Sequence, residues 1–256
     1  MSGSAGLALH RVRDAMGMPV TVHVVDASAE ESWLDAVYAD FVTLDEMFSP
    51  FRPDSAVSRI NRGELEEADT GPLFRQAIDL CRLYQKATGG YFSAWIRGTF
   101  DPSGLVKGWA IDRAATILAA KGCRNFYIDA GGDVQARGRN GDGSPWRIGI
   151  RHPVERDKVA RVVIAEDLAV ATSGTYEKGD HILNPNTGMP AADLLSLTVV
   201  GPDILSADVY ATAALAMGES GLDFIDGISG YEGFAINRSL TASWTAGFDR
   251  HCAAVG

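Results

Sequence analysis

A carboxylate and a hydroxyl lie four residues apart in the segment SADVYATAA, as Asp208 and Thr212. On a helix this spacing puts both side chains on one face. Two hard oxygen donors side by side suit a Mg²⁺ ion that keeps several waters and binds a phosphate ligand. An aspartate early in a helix also complements the dipole, and an internal threonine often bonds to the preceding turn. The pair is therefore a candidate metal site, with a structural role as the alternative.

A second polar group lies in DPSGLVKGWAID, which contains Asp101, Gly104 and Lys107. A glycine-containing turn that opens a helix leaves backbone N–H groups free to meet an anion. Lys107 is predicted at the start of this helix, where the dipole favours negative charge, so a cation there indicates an anionic ligand. The segment lacks the Walker A pattern. A solvated lysine after an ordinary turn is the alternative.

One histidine of the five lies in a polar segment, TSGTYEKGDHILNPNTG (172–188), between strand-like apolar runs. This residue, His181, is flanked by Asp180 and Asn184. A histidine with a pKa near neutrality can take a proton from a hydroxyl nucleophile. A loop histidine that bonds to the backbone is the alternative. The sequence has no GxSxG motif and no suitable Cys/His arrangement, which disfavours acyl-enzyme hydrolysis.

These residues need helices and strands to position them, and the apolar spacing predicts both. Helices are predicted at 29–48 (begun by Ser28), 71–87, 107–121, 206–217 (with Ser206 as N-cap) and 222–228. Strands are predicted at 20–27, on both sides of Gly131–Gly132, in WRIGIRHP, VARVVIA, LAVATSG and LLSLTVVG, and near Phe234 and Ala242. SAWIRGTFDPSG is predicted to be irregular. Because strands and helices do not alternate strictly, the fold class is α+β rather than doubly wound.

The composition narrows the function classes further. The 256 residues are 46% hydrophobic, which predicts one compact domain over residues 1–256. A net charge of −10 argues against general nucleic-acid binding. Three cysteines without metal-ligand spacing argue against a disulfide framework. With no signal peptide or apolar span apparent, a cytoplasmic location and no membrane span are expected.

Taken in order, several motifs resemble the successive signatures of the ApbE family of FAD:protein FMN transferases. They are MGM, MFSPFRPDSAVSRIN, GGYFS, SGLVKGWAIDRA, IDAGGDVQARG, ATSGTY…HILNPNTGMP and LTVVGPDILSADVYATAALAMG, between about residues 16 and 218. The resemblance implies an ApbE-like (T-fold-like) mixed sheet with helices and an internal pseudo-duplication. It also implies Mg²⁺-dependent transfer of FMN from FAD to a Thr or Ser hydroxyl of a target flavoprotein, with release of AMP. The alternatives are a FAD pyrophosphatase, which forms FMN and AMP, and a non-catalytic FAD-binding protein.

The resemblance also assigns roles to individual residues. It implies His181 as the general base, with Asp208 able to share that role. It implies metal ligands at Asp208, Thr212 and the carbonyl of Gly104, with Ala211 at the edge of the site. It implies flavin-nucleotide contacts at Met16, Phe51, Tyr91, Phe92, Ser93, Asp101, Lys107, Thr172, Ser173, Gly174 and Ile182.

Four features depart from the usual family pattern. Met18 stands where the family has a small polar residue, and Ser93 stands where it has an aspartate. Phe51 replaces a residue that is often tyrosine, and the stretch between Tyr91 and Asp101 is short. The short stretch concerns the wall of the flavin cleft, and together with Ser93 it motivates the non-catalytic alternative.

Overall fold

The structure, a computed structural model, describes residues 8–155, 157–175 and 183–253. Its helices are α1 (Glu31–Phe48), α2 (Ala56–Asn61), α3 (Pro72–Ala87), α4 (Ser103–Ala120), α5 (Ile204–Met217) and α6 (Gly221–Asp226). Its strands are β1 (Leu9–Ala15), β2 (Met18–Val24), β3 (Trp95–Ile96), β4 (Thr99–Phe100), β5 (Phe126–Ala130), β6 (Asp133–Arg137), β7 (Trp146–Arg151), β8 (Val159–Ala165), β9 (Ala169–Gly174), β10 (Leu194–Gly201), β11 (Glu232–Asn237) and β12 (Ala242–Trp244).

Eight strands form one antiparallel sheet in the order β1-β2-β5-β6-β9-β10-β11-β12. Its two halves repeat one connection, in which an antiparallel pair leads through helices to a second pair beside it. The first half joins β1–β2 to β5–β6, and the second joins β9–β10 to β11–β12. This arrangement confirms the predicted α+β class, and the repeated connection is what a pseudo-duplication requires.

Two tight turns lie at the same end of this sheet. Met16–Gly17 joins β1 to β2 and Gly131–Gly132 joins β5 to β6, with positive φ at all four residues. Two-residue loops of this kind match the twist of the strands that they join. A β-carbon on Gly131 would lie 3.0 Å from the sulfur of Met18, so the turns contact each other. The glycine pair predicted between two strands is therefore the turn of a hairpin.

One face of the sheet carries the main core beneath α1, α4 and α5. Val20, Val22 and Val24 alternate along β2 and are fully buried against these helices. Fully burying a valine side chain contributes about 1.5–3 kcal/mol, so this stripe anchors the helices to the sheet. The buried residues of α5 surround the helix, as expected for a helix inside the core.

The other face of the sheet packs against the hairpin β7–β8. Ile150 and Val163 of the hairpin meet Val170 and Val200 of the sheet, with Phe248 closing this second core. The alternation of side chains along β9 and β10 thus supplies both cores, since residues at odd and even positions face opposite sides.

The structure corrects several predicted boundaries. The helix α1 begins at Glu31, and its N-cap is Glu30 rather than Ser28. The helix α4 begins at Ser103, four residues before the predicted start at Lys107. The cap of α5 is Asp203, whose carboxylate accepts the backbone N–H of Ser206.

Two pieces of the sheet structure have no counterpart in the predicted elements. The strand β1 pairs with β2 along its whole length. The segment predicted to be irregular holds a small hairpin, β3–β4, turned at Arg97 and Gly98 with positive φ. Within the described ranges, no helix combines the length and apolarity that crossing a bilayer requires.

Candidate active site

The residues predicted to do chemistry meet where α4 crosses α5. The backbone N–H of Gly108 donates to Oδ2 of Asp208 over 2.9 Å. A β-carbon on Gly108 would lie 2.8 Å from that of Asp208 and 3.0 Å from the carbonyl oxygen of Ile204. Only glycine allows the helices to approach this closely. The Asp208 side chain is 2% exposed, so its carboxylate depends on protein donors.

Lys107 provides a positive charge beside that carboxylate. Its ammonium group forms an ion pair with Asp133 and lies 3.3 Å from Oδ1 of Asp208. Because α4 begins at Ser103, the lysine lies in the second turn and not at the helix start. The prediction that Lys107 lies at the start of the helix is therefore wrong. Its partners in the fold are two buried carboxylates.

The cluster has a net negative charge when both acids are ionised. Burial raises the pKa of Asp208 to about 7; Asp133 adds to this rise, whereas Lys107 and the Gly108 N–H oppose it. Desolvation alone would lower the pKa of Lys107, but Asp133 and Asp208 raise it above its usual range. The lysine is therefore protonated at neutral pH. Two carboxylates against one ammonium group leave a charge that a bound cation could balance.

Asp133 is the part of this cluster that sequence reasoning missed. It follows the Gly131–Gly132 turn as the first residue of β6 and is 1% exposed. Its Oδ1 accepts the backbone N–H of Thr172 in β9 over 2.9 Å. An aspartate directly after a glycine pair, at the start of a strand that is otherwise largely buried, was the available signal. The ion pair with Lys107 could not be predicted from local sequence, because the two residues are distant in the chain.

Oxygen atoms collect beside this cluster on the helix-covered face of the sheet. The hydroxyls of Thr212 and Ser173 lie 3.1 Å apart, and Thr212 is one turn beyond Asp208 on α5. A β-carbon on Gly104 would lie 3.9 Å from Cγ2 of Thr212, so the first turn of α4 adjoins the same spot. The described residues contain no group of three His, Cys, Asp or Glu side chains with metal-binding geometry. One carboxylate with hydroxyl and carbonyl oxygens nonetheless fits Mg²⁺, which retains waters and bridges to phosphates.

Two predicted ligands have different surroundings. Ala211 is fully buried in the main core and has no side-chain donor, so only its main-chain atoms could serve a metal. The hydroxyl of Thr172 bonds to that of Thr198 over 2.8 Å, while the neighbouring Ser173 bonds to Thr212. Because adjacent side chains of a strand face opposite sides, Thr172 and Ser173 do not line one pocket.

The GGYFS turn after α3 lies close to Gly104, in the first turn of α4. The ring of Phe92 is buried, and a β-carbon on Gly104 would lie 3.4 Å from its Cε2 atom. Tyr91 is half-buried beside it. Ser93 accepts a hydrogen bond from Gln85 over 3.3 Å and donates to the carbonyl of Trp95 over 3.0 Å. Its hydroxyl thus stabilises the local turn.

Three other predicted flavin contacts lie in a turn, directly before a helix, and on the surface. Met16 lies in the β1–β2 turn with φ of 53°. Asp101 precedes α4, and its Oδ1 accepts the backbone N–H of Ser103 over 3.0 Å. The Phe51 ring is 89% exposed, so it is available to stack on a flat ligand. Gly174 ends β9, whereas His181 and Ile182 lie outside the described residues.

Comparison with known proteins identifies the family of this chain. The model of the ApbE family matches residues 16–100 and 96–234. The chain belongs to the ApbE family. Among solved ApbE structures, the apo form of a Pseudomonas stutzeri flavinyl transferase superposes with a TM-score of 0.86, with 24% identity and full coverage of both chains. The described part of the chain thus has the fold of these ApbE structures.

Curated ApbE relatives match over shorter stretches. A Vibrio cholerae protein named FAD:protein FMN transferase is 36% identical over 129 residues, which cover 46% of this chain and 39% of the relative. A Salmonella typhimurium protein of the same name is 26% identical over 227 residues, which cover 84% of this chain and 63% of the relative. In each alignment the chain therefore spans less than two thirds of the relative's length.

Proposed function

We propose that this protein transfers FMN from FAD to a hydroxyl of a protein acceptor. The observation that carries the proposal is the buried cluster of Lys107, Asp133 and Asp208 beside the oxygens of Thr212 and Ser173. Cations and fixed dipoles gathered at a pyrophosphate are the main catalytic means of phosphoryl-type transfer. The names of the Vibrio and Salmonella relatives support the choice of FAD as donor.

The proposed reaction exchanges one phosphorus–oxygen bond for another. The acceptor Thr or Ser oxygen attacks the FMN phosphorus of FAD and forms the new P–O bond. The bond from that phosphorus to the bridging oxygen breaks, and AMP leaves with that oxygen. The hydroxyl proton passes to a base, which we assign to His181. Asp208 is less suited to this role because Lys107 and Gly108 already engage both of its oxygens.

The same residues would hold Mg²⁺ during the reaction. Asp208, Thr212 and the carbonyl of Gly104 are the proposed ligands, with Ser173 hydrogen-bonded behind Thr212. A divalent ion bound there would neutralise pyrophosphate charge. Lys107 opposes the burial-driven rise in the pKa of Asp208 and holds the carboxylate in place, since its ammonium group lies 3.3 Å from Oδ1. The hydrogen bond from the Gly108 N–H to Asp208 fixes the position of α5 along α4.

A transfer assay tests the proposal. The protein is mixed with FAD, Mg²⁺ and a library of short threonine-containing peptides, and mass spectrometry detects peptides that carry FMN. We expect labelled peptides and an equal amount of AMP with the wild type. Loss of Asp208 or His181, as D208A and H181A, should lower labelling by about 10²-fold or more, because each removes a transition-state interaction.

The assay also separates the alternatives. AMP and FMN released in equal amounts without labelled peptide would indicate a pyrophosphatase that uses water. Bound FAD without any AMP would indicate a binding protein. Full turnover in D208A would contradict the metal site.

A further inference from the structure

A cleft of about 330 Å³ lies on the face of the sheet opposite α4 and α5, under the hairpin β7–β8. The apolar and aromatic residues that line it are Tyr127, Trp146, Ile148, Ile150 and Val170. The ring of Trp146 packs edge-on against Tyr127, with 5.2 Å between ring centroids, and its indole N–H donates to the carbonyl of Arg137. These two contacts fix the orientation of the Trp146 ring. The volume is at the lower end of the range for ligand sites.

The mouth of the cleft adjoins the candidate active site. Gly131, Gly132 and Asp133 form one lip, and Thr172 and Gly174 form the other. Asp133 belongs to both places, because one carboxylate oxygen pairs with Lys107 and the other accepts the Thr172 N–H. A molecule in the cleft would thus approach the cluster from the side that the helices leave open.

A strand edge borders this mouth. In the described residues, β6 pairs with β9 only at Val134–Val170 and Gln135–Ala169. Beyond Val170 the two strands separate, and the side chain of Asp133 takes the place of a strand partner at Thr172. Since Asp133 already accepts the Thr172 N–H, the main-chain groups of Gly174 are the ones on this side that an extended peptide would bond.

The charged residues of the cleft are of both signs. Asp129 and Asp133 line it on the sheet side. Arg147 and Arg151 line the hairpin side, so both signs of charge are present. Burial raises the pKa of Asp129, and the charge of Asp133 adds to this rise. Apolar and aromatic side chains mixed with charges of both signs are typical of a surface that binds polypeptide.

We propose that this cleft binds the acceptor polypeptide of the transfer reaction, which rests on the proposed function. The acceptor segment lies extended along the edge of β9 at Thr172–Gly174, with an apolar side chain under the hairpin against Ile148 and Trp146. Its Thr or Ser hydroxyl is then at the mouth, beside Asp133. The hydroxyl oxygen forms a bond to the FMN phosphorus, the bond to the bridging oxygen breaks, and AMP leaves; the hydroxyl proton passes to the general base. Donor and acceptor thus enter from opposite faces of one sheet.

A charge placed in the cleft tests this assignment. Ile148→Glu puts a carboxylate on the apolar floor, and a peptide labelled by the wild type should be labelled at least about tenfold more slowly. FAD binding, measured by flavin fluorescence, should be unchanged because the proposed metal ligands lie on the other face of the sheet. The matched control is Val159→Glu on the same hairpin, where the side chain is exposed and outside the cleft. We expect it to label at the wild-type rate.

Each result decides between the two proposals. Equal labelling by the wild type and Ile148→Glu would overturn the acceptor cleft and leave the transfer reaction intact. Weakened FAD binding in Ile148→Glu would show that the cleft holds the nucleotide, which also overturns it. No labelled peptide with the wild type would overturn transfer and the docking site together. Should Ile148→Glu fail to fold by circular dichroism, Ile148→Ser with its smaller polar side chain provides the same comparison.

Discussion

Lys107 lies between two carboxylates that the fold keeps away from water, those of Asp133 and Asp208. Such a group is costly to assemble, and removing one partner leaves the others without compensation. The lysine therefore has a structural task in the absence of any ligand. Its side chain is 26% exposed, so one side of the ammonium group can still meet an anion.

Lys107→Met should lower the free energy of unfolding by about 2–4 kcal/mol, because Asp133 and Asp208 then lose the cation that compensates their burial. Methionine keeps an unbranched side chain of similar length, so the loss reports charge rather than volume. Urea denaturation in the absence of FAD measures the change.

Lys158→Met is the control for this change. Lys158 pairs with Glu155 on the surface at 2.6 Å, and its side chain is 65% exposed. The expected change is below about 0.5 kcal/mol. Equal losses in the two variants would contradict a structural role for the buried cluster.

Sequence reasoning identified part of this cluster. Asp208 and Thr212 were predicted from their spacing, because four residues along a helix fix a shared face. Asp133 was not predicted, since its pairing with Lys107 depends on where β6 lies beside α4. Thr172 and Ser173 were assigned to one site, and only the direction of β9 shows that their side chains diverge.

At the scale of elements, the start of α5 depends on one carboxylate. Asp203 accepts the N–H of Ser206 through Oδ1 over 2.8 Å and the hydroxyl of Tyr231 through Oδ2. It thus caps the helix that carries Asp208 and ties it to the start of β11. By contrast, Glu30 at the start of α1 makes no side-chain cap bond.

Asp203→Ala should therefore lower the free energy of unfolding by about 1–2 kcal/mol, since it removes a helix cap. Glu30→Ala, the matched change at α1, should alter it by less than about 0.5 kcal/mol, because no cap bond is lost. Thermal or urea unfolding measures both. A similar loss in the two variants would contradict the role of Asp203.

The helices and most strands were predictable because their apolar residues repeat with the period of each element. The starts of helices were not. Ser28 and Ser206 are favourable cap residues by type, yet α1 and α5 start at Glu31 and Ile204. The sequence allows a helix start at Asp203 or at Ser206. The contact that favours Asp203 is with Tyr231, which is remote in sequence.

At the scale of the whole molecule, the three cysteines lie in separate parts of the fold and remain as thiols. Burial raises the pKa of Cys81 to about 12 and that of Cys123 to about 11, with the charge of Asp26 contributing at Cys123. Desolvation also raises the pKa of Cys252. Since the thiolate is the reactive form, the folded protein should react slowly.

At pH 8 few Cys81 and Cys123 side chains are thiolates, because both pKa values lie well above 8. Ellman's reagent should therefore label the native protein slowly and all three thiols rapidly in guanidinium chloride. Raising the pH towards 10 should speed the labelling of Cys123. Rapid reaction of all three thiols in the native state at pH 8 would contradict this burial.

The two halves of the sheet repeat one connection but span very different lengths of chain. Val20 pairs with Ala130 across α1 to α4, whereas Val199 pairs with Gly233 across little more than α5 and α6. The extra loop-closure entropy of the longer span is only about 1 kcal/mol, because this cost grows with the logarithm of length. Folding rates, however, fall as contacts become more distant in sequence. The unequal spans thus affect the order in which the halves fold more than the stability of the finished sheet, and we expect the half that contains Asp208 and Thr212 to close first.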